Sequence, residues 1–285
     1  KKIKSRRVLK MSDPIKGEKG TEDGIEESSA PLLDHLIELR TRLMWCVGYI
    51  LVAFFICMYF ASDIYTFLAQ PFVDVALKNG KEPNMIFTGL QEMFFVNIRL
   101  SFYVALAVTF PMLSMQIWKF VAPGLYKNEK NAFLPFLAGT PVLFVMGASL
   151  AYYLVIPNAW NFFISYEVGV AAEMSKELGN AAQLQIESLP AVKEYLSLTI
   201  LLMFAFALSF QLPVLLLLLA RVGFVTADGL AKKRKYMIVG AFVFAAFMTP
   251  PDPISQIGLA VPVLLLYEIS IIIIRFTIKQ PEEDV

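Results

Sequence analysis

The chain has 285 residues, of which 57% are hydrophobic and 17% charged, and its formal net charge is +1. Soluble domains usually carry about 45–50% apolar and about 25% charged residues. The composition therefore argues against a water-soluble enzyme, a nucleic-acid-binding domain and a disordered chain, and it predicts a membrane protein. One histidine and two cysteines are too few for an ordinary structural zinc site, so we expect no metal and no other cofactor.

Residues 1–31 are polar and bury too little apolar surface to fold alone. We predict a flexible tail there, a membrane domain over residues 32–278 and a short second tail over residues 279–285. Six apolar runs occur at about residues 43–61, 100–121, 133–156, 196–220, 237–248 and 257–274. A bilayer core about 30 Å thick requires about 20 helical residues, so the last two runs are short. The predicted fold is an all-α membrane protein with six transmembrane helices.

Basic residues are distributed unevenly between the two sides that this topology creates. With the amino terminus inside, the cytoplasmic segments hold 20 of the 25 lysines and arginines. The opposite side holds Lys78, Lys81, Arg99, Lys176 and Lys193. Because cytoplasmic loops carry an excess of basic residues, both termini are predicted to be cytoplasmic.

Prolines fall within several apolar runs, and each removes a backbone hydrogen bond and kinks its helix. They are Pro111, Pro135, Pro141, Pro213 and Pro262. We therefore expect a curved bundle of kinked helices. No internal repeat is visible in the sequence, which weakens the case for an inverted-repeat transporter.

Two cytoplasmic segments combine carboxylates with basic or aromatic residues. Residues 34–42 (DHLIELRTR) place Glu38 four residues before Arg42, a spacing at which the two side chains can pair on one helix face. Residues 120–130 (FVAPGLYKNEK) lead from an apolar, aromatic surface to Glu129, the only carboxylate of that loop. Helix capping and surface pairing are the structural alternatives for both glutamates.

Several motifs, in their order along the chain, resemble the TatC family, the multispanning receptor of twin-arginine protein translocation. They are HLIELRTRL at residues 35–43, Gln70-Pro71, FPMLSMQIWKFVAPGLYKNEK at residues 110–130, FALSFQLPV at residues 206–214, LAKKRKYMIVGAF at residues 230–242 and TPPDPISQIGLAVP at residues 249–262. The resemblance covers the chain from residue 32 to about residue 278.

The resemblance implies that Glu38 and Glu129 form the site for the paired arginines of a signal peptide. Carboxylates suit this ligand on chemical grounds as well, since guanidinium groups form bidentate hydrogen bonds with them. A partly dehydrated apolar surface raises the contribution of each such bond to about 1.5–3 kcal/mol. We call this surface the aromatic shelf, and its predicted members are Phe120, Pro123, Leu125 and Tyr126.

Gln211 is a polar residue in the fourth apolar run, where a polar group is costly and suggests a function. Many members of the family have a glutamate at this position, and an amide cannot relay protons by deprotonation. A hydrogen bond between helices and contact with a partner subunit are both open for Gln211.

Three further polar residues lie in the sixth span or at its outer end. Asp252 and Gln256 follow Pro250-Pro251 on one helix face, and we predict a structural cap there with partner contact left open. Glu268 lies about five residues from the inner end of the span. We predict a buried structural carboxyl that is either protonated or paired with Arg275.

Residues 5–10 (SRRVLK) look like a shortened twin-arginine motif. The residues that follow, 11–24, are polar where a signal peptide would be apolar, so the segment is not an export signal. Two interpretations of residues 5–10 stay open: an ordinary basic tail, and a ligand that is bound by the protein itself or fused to it.

The main hypothesis is a receptor and translocation component rather than an enzyme, located in a bacterial inner membrane. The resemblance implies single-span TatA- or TatB-type subunits as partners and folded cargo moved by the proton motive force. Membrane lipid is a further expected partner, self-association is left open, and no nucleic acid is expected. The alternative is a proton-coupled secondary transporter of a small solute that uses Glu268, Gln211 and the proline-broken helices.

Overall fold

The computed structural model describes residues 23–121, 134–177 and 189–277. Within these ranges the protein is helical, with one isolated bridge between Ile86 and Ala191, which confirms the predicted all-α class. The elements are α1 (Asp23–Tyr59), α2 (Ala61–Lys78), α3 (Glu92–Val121), α4 (Leu134–Leu150), a π-helical turn (Ala151–Val155), α5 (Ile156–Glu177), α6 (Val192–Ser209), α7 (Leu212–Arg221), α8 (Ala227–Lys232), α9 (Arg234–Met248) and α10 (Pro253–Thr277).

Five helical stretches in the described ranges are long and apolar enough to cross a membrane. They are His35–Tyr59, Glu92–Phe120, Gly139–Glu167, Val192–Arg221 and Pro253–Thr277. α9 has 15 residues, which extend over only about 22 Å at about 1.5 Å per residue. A sixth span and the cytoplasmic placement of both termini therefore stay predictions.

The expectation that the last span is short is wrong. α10 has 25 residues, because the helix begins at Pro253, before the apolar run that starts near residue 257. At the other end of the chain, α1 begins at Asp23, so the predicted boundary at residue 32 falls inside a helix. The flexibility of the amino-terminal tail stays a prediction.

Prolines interrupt the helices less often than the sequence suggested. Three of the predicted positions lie inside unbroken helices: Pro111, Pro141 and Pro262. Pro135 is the second residue of α4, where a missing N–H removes no intrahelical bond. Pro213 does accompany a break, between α6 and α7. Curvature of the bundle stays a prediction.

Pro71 lies inside α2 and is braced by two neighbouring elements. Proline has no N–H, so the carbonyl of Phe67, four residues earlier, loses its helical donor. The hydroxyl of Tyr152 donates to this carbonyl at 2.7 Å, and the hydroxyl of Tyr195 donates to the carbonyl of Leu68 at 2.5 Å. These bonds fix α2 against the π-helical turn and α6.

Three clusters of buried side chains hold the helices together. The first joins the π-helical turn, α6, α9 and α10 around Phe206 and Leu259. The second joins α2, α3 and α6 around Tyr195, and the third joins α7, α8 and α10 around Tyr267. Gly147 allows α4 to approach α6 closely, because a Cβ atom there would lie 2.6 Å from the carbonyl oxygen of Phe206.

α1 lies at the edge of the bundle and packs mainly against α3. Only 6% of the residues in its most apolar 18-residue stretch are buried inside the protein. The two helices bring the first turns after His35 beside the last turns of α3, and we call this end of the bundle the Glu38 end. The Glu92 end is the opposite one, where α3 and α6 begin side by side.

Candidate functional site

Glu38 and Arg42 pair one turn apart on α1, as their spacing predicted. Nε of Arg42 donates to Oε1 of Glu38 at 3.0 Å, and Nη2 of Arg42 donates to the same oxygen. The side chains of Arg42 and Glu38 are 22% and 34% exposed. The other carboxylate oxygen, Oε2, lies 3.9 Å from Nδ1 of His35. The pair therefore occupies one oxygen of Glu38, and the second oxygen accepts no hydrogen bond among the described residues.

α3 forms the other wall of this site. Nη1 of Arg42 lies 3.5 Å from Oε1 of Gln116, which is at the long limit for a hydrogen bond. One turn further along α3, the ring of Phe120 stacks on His35 with centroids 4.2 Å apart and an interplanar angle of 15°. The fold thus brings Phe120, a predicted member of the aromatic shelf, to the turns of α1 that contain His35 and Glu38.

A cavity of about 470 Å³ opens between α1 and α3 at this point. Its walls include Glu38, Arg42, Trp45, Gln116 and Lys119. This volume lies within the range that is typical of ligand sites, and a few polar groups on a partly apolar wall are also typical. The cavity can accept an extended side chain that directs a positive group at Glu38.

The other predicted members of this site lie outside the described residues. They are Glu129, Pro123, Leu125 and Tyr126. The segment that carries them connects α3 to α4 and follows directly after Phe120 and Val121. Their approach to Glu38 stays a prediction.

Gln116 and Trp45 line the cavity although the sequence analysis did not single them out. Gln116 lies four residues before Phe120, so the helical repeat could have placed both on one face of α3. The position of Trp45 depends on how α1 is rotated against α3, and no pattern in the sequence specifies that rotation.

Gln211 lies at the junction between α6 and α7. Its Nε2 donates to the carbonyl oxygen of Thr140 in α4 at 3.1 Å, which confirms the alternative of a hydrogen bond between helices. Its Oε1 is buried and has no donor among the described residues. Contact of Gln211 with a partner subunit stays a prediction.

Asp252 is 1% exposed, and its Oδ2 accepts a hydrogen bond from the backbone N–H of Ser255 at 2.6 Å. This bond satisfies a free donor in the first turn of α10 and confirms the predicted structural cap. Gln256 instead reaches α9, where its Nε2 lies 3.4 Å from the carbonyl oxygen of Phe242. Partner contact at either residue stays a prediction.

The predicted pairing of Glu268 with Arg275 is wrong. Both oxygens of Glu268 accept hydrogen bonds from Arg234 at the start of α9, at 2.7 Å and 2.8 Å. Arg275 donates instead to Asp228 at 2.9 Å. Seven residues separate Glu268 from Arg275, a rise of about 10 Å along α10, whereas α9 packs directly against α10. The side chain of Glu268 is also 42% exposed and not the buried carboxyl that we expected.

The site at the Glu38 end has the features of a binding surface for a cationic ligand. It combines a partly exposed carboxylate, a guanidinium already bonded to it, and aromatic rings. Among the described residues, no group of three or more His, Cys, Asp or Glu side chains could hold a metal ion. The fold and the site together define a helical membrane protein with a candidate binding site at one end of the bundle.

Comparisons with known proteins identify the family. The family model described as Sec-independent protein translocase protein (TatC) matches residues 34–262. The Sec-independent protein translocase protein TatC of Magnetococcus marinus is 49% identical over 245 residues, which cover 86% of this chain and 84% of that protein. The protein of the same name from Escherichia coli (strain K12) is 38% identical over 250 residues, which cover 88% and 90%.

A solved structure matches the fold as well. The crystal structure of a twin arginine translocase receptor, TatC, aligns with a TM-score of 0.68 at 34% identity and covers 85% of this chain and 98% of that one. The chain therefore belongs to the TatC family of Sec-independent protein translocase proteins. The resemblance inferred from the motifs is confirmed.

Proposed function

We propose that this protein is the receptor of a twin-arginine translocation system and binds the paired arginines of signal peptides with Glu38 and Glu129. Membership of the TatC family supports translocation over the alternative of a secondary transporter for a small solute. The matched crystal structure is that of a protein named as a twin arginine translocase receptor. Folded cargo, use of the proton motive force and single-span TatA- or TatB-type partners are parts of the same proposal.

The observation that carries this proposal is the guanidinium already bonded to Glu38. Arg42 presents Nε and Nη2 to the single oxygen Oε1 of Glu38, so a guanidinium can reach this carboxylate and donate to it. An incoming arginine that replaces Arg42 could bond both oxygens of Glu38 as a bidentate pair. Arg42 therefore acts as an internal stand-in for the ligand.

Exchange of one guanidinium for another at Glu38 is energetically accessible. A pair of charges four residues apart on a partly exposed helix surface contributes only about 0.3–0.5 kcal/mol. A bound signal peptide would cover Glu38 and exclude water from it, and a hydrogen bond to a charged group in such a partly dehydrated site contributes about 1.5–3 kcal/mol. Because Oε2 accepts no hydrogen bond among the described residues, a peptide arginine can bind there first and displace Arg42 afterwards.

Two arginines require two carboxylates, and Glu129 is the proposed second one. It lies eight residues after the last described residue of α3, Val121, on the segment that begins at the aromatic shelf. The wall of the cavity continues along α1 with Trp45 and Tyr49. Their partly apolar surfaces suit the apolar part of a signal peptide that follows its arginines.

The distribution of basic residues supports a cytoplasmic location for this site. α7 ends in a basic residue at Arg221, and the short segment before α9 carries Lys232 and Lys233. The helices alternate in direction, so these residues lie at the Glu38 end with Arg40 and Lys119. An excess of basic residues marks the cytoplasmic side of a membrane protein, here proposed to be a bacterial inner membrane with both chain termini inside.

Photo-crosslinking of a twin-arginine signal peptide to membranes that contain the protein tests the proposal. Replacing Glu38 and Glu129 together by alanine is expected to remove the crosslink, because both carboxylates that accept the arginines are lost. Membrane insertion of the variant should be unchanged, as measured by resistance to alkaline extraction.

Glu194→Ala is the matched control for this experiment. Glu194 is an exposed glutamate in the first turn of α6 at the Glu92 end, far from the proposed site, and its loss should leave crosslinking intact. A crosslink that persists in the double variant at its original yield would refute the proposed roles of Glu38 and Glu129.

A further inference from the structure

A second cavity lies at the Glu92 end of the bundle, between the first turns of α3 and α6. Its volume is about 430 Å³, and the residues that matter for its chemistry are Glu92, Phe95, Val96, Arg99 and Lys193. None of them belongs to the site at the Glu38 end. The cavity combines one acidic, two basic and two apolar side chains.

The carboxylate of Glu92 is fully engaged by neighbouring donors. Its Oε2 accepts hydrogen bonds from the backbone N–H of Thr88 at 2.7 Å and from the hydroxyl of Thr88 at 2.6 Å. Its Oε1 accepts a hydrogen bond from the backbone N–H of Lys193 at 3.2 Å. Glu92 therefore holds the loop before α3 against α6 and makes no ion pair with the cations of the cavity.

Arg99 and Lys193 are both exposed, and neither forms an ion pair with a carboxylate among the described residues. Nη1 of Arg99 donates to the neutral hydroxyl of Ser197 at 3.0 Å, and its guanidinium carbon lies 5.8 Å from the ring centre of Tyr103. No described carboxylate engages the remaining donors of Arg99 or the ammonium of Lys193, so they can bind an anion. Two cations on one cavity, with the nearby carboxylate already engaged, favour a negatively charged ligand.

The depth of Arg99 indicates where such an anion comes from. Arg99 lies seven residues into the apolar stretch Glu92–Phe120, or about 10 Å from its start. Arginines near the ends of membrane spans extend their charged groups to the level of the lipid headgroups. Phe102, one turn beyond Arg99 towards the middle of the span, is 45% exposed and offers an apolar contact on the side to which the acyl chains of a lipid extend. A phospholipid supplies a phosphate at the level of the charged groups and acyl chains below it.

We propose that this cavity binds an anionic phospholipid from the leaflet at the Glu92 end, with Arg99 and Lys193 bonded to its phosphate and Phe102 against an acyl chain. The lipid holds α3 and α6 together at the end of the bundle that is remote from Glu38. This site is independent of the proposed peptide site and goes beyond the receptor function.

Native mass spectrometry of the full chain in detergent, titrated with dioleoylphosphatidylglycerol, tests the proposal. The unaltered protein should retain one lipid more tightly than any further copies. Arg99→Gln and Lys193→Gln should each weaken this binding about tenfold, since each removes one charge-assisted contact with the phosphate. Lys78→Gln is the matched control, because Lys78 is an exposed lysine of the same end that does not line the cavity, and it should leave the binding unchanged.

Two competitors distinguish a lipid from other ligands. Dioleoylphosphatidylcholine should bind at least about tenfold more weakly than dioleoylphosphatidylglycerol because its net charge is zero, and millimolar inorganic phosphate should not displace the bound lipid. Displacement by inorganic phosphate, equal affinity for the two lipids, or an equal loss in Lys78→Gln would each overturn the proposal.

The Lys193→Gln variant keeps the test decisive if Arg99→Gln fails to fold. The side chain of Lys193 makes no hydrogen bond with any residue that the structure describes, so its replacement should leave the melting temperature without added lipid unchanged. Unaltered affinity for dioleoylphosphatidylglycerol in Lys193→Gln would refute the site on its own.

Discussion

Two arginine–glutamate pairs in this protein use the same chemistry in different geometries. Glu38 accepts both donors of Arg42 on a single oxygen, and the two residues lie one turn apart on α1. Glu268 accepts one donor of Arg234 on each of its oxygens, and the two residues belong to different helices, α10 and α9. Exposure does not separate the pairs sharply, since the glutamate side chains are 34% and 42% exposed.

The difference shows which carboxylate is available to a ligand. The pair in α1 joins two residues of one helix and reaches α3 through the long 3.5 Å contact between Arg42 and Gln116. Oε2 of Glu38 accepts no hydrogen bond among the described residues. The pair between helices fixes the start of α9 against α10 and uses both oxygens of Glu268. The first arrangement suits recognition of an external guanidinium, and the second suits structural attachment.

The largest expected effect is on binding of a twin-arginine peptide. Glu38→Gln keeps the shape of the side chain but removes its charge, so we expect peptide affinity to fall about tenfold or more, as a lost charge-assisted hydrogen bond of about 1.5–3 kcal/mol implies. Glu268→Gln is the matched change in the other pair and should alter affinity by less than about twofold. Fluorescence anisotropy of a labelled peptide with purified protein measures both.

Equal losses in the two variants would erase the distinction between the pairs. A loss of peptide affinity in Glu268→Gln alone would mean that Glu268, and not Glu38, binds the peptide. That result would contradict the proposed site. Circular dichroism of each variant serves as the control that the helical fold is retained.

A smaller effect in the opposite direction is expected when the internal competitor is removed. Arg42→Gln frees Oε1 of Glu38, and since the pair contributes about 0.3–0.5 kcal/mol, peptide affinity should rise about twofold. Arg40→Gln removes an equal charge from an exposed neighbouring position and should have a smaller effect. The same anisotropy titration measures the change, and weaker binding by Arg42→Gln would mean that Arg42 positions Glu38 instead of competing for it.

These pairs also show how far the sequence could predict the molecule. The contact between Glu38 and Arg42 followed from helical spacing, because both residues lie on one element. The cap formed by Asp252 was predictable for the same reason, since capping depends on residues that are three positions apart. The family could be inferred from motif order, and the all-α class followed from the apolar runs.

Contacts between helices were not predictable in the same way. The partner of Glu268 depends on how α9 packs beside α10, and a search along the sequence of α10 alone pointed to Arg275. Gln116 was missed because the packing of α1 on α3 decides which face of α3 lines the cavity. The length of α10 was underestimated because hydrophobicity marks the lipid-facing part of a helix, whereas its cap at Asp252 determines where the helix begins.

The two variants should also differ in thermal stability, and here the larger effect is expected for Glu268→Gln. Glu268→Gln breaks a contact between two helices, so the melting temperature should fall, although by a few degrees at most because both side chains are about half exposed. Glu38→Gln breaks a contact within one helix, and its melting temperature should change less. Thermal unfolding in one detergent, followed by circular dichroism, compares the two. A larger fall for Glu38→Gln would show that the α1 pair is the structural one.

The smallest expected effect concerns Arg275, the partner that sequence spacing assigned to Glu268. Because Arg275 is bonded to Asp228 and Glu268 to Arg234, the two ion pairs share no member. The melting temperature of the double variant Glu268→Gln/Arg275→Gln should therefore fall by the sum of the two single effects. The melting temperature of Glu268→Gln/Arg234→Gln should fall by less than the sum, since either change alone already breaks that pair. A non-additive result for Glu268 and Arg275 would mean that the two side chains interact in solution. Glu268 would then pair within its own helix, α10, as Glu38 does within α1.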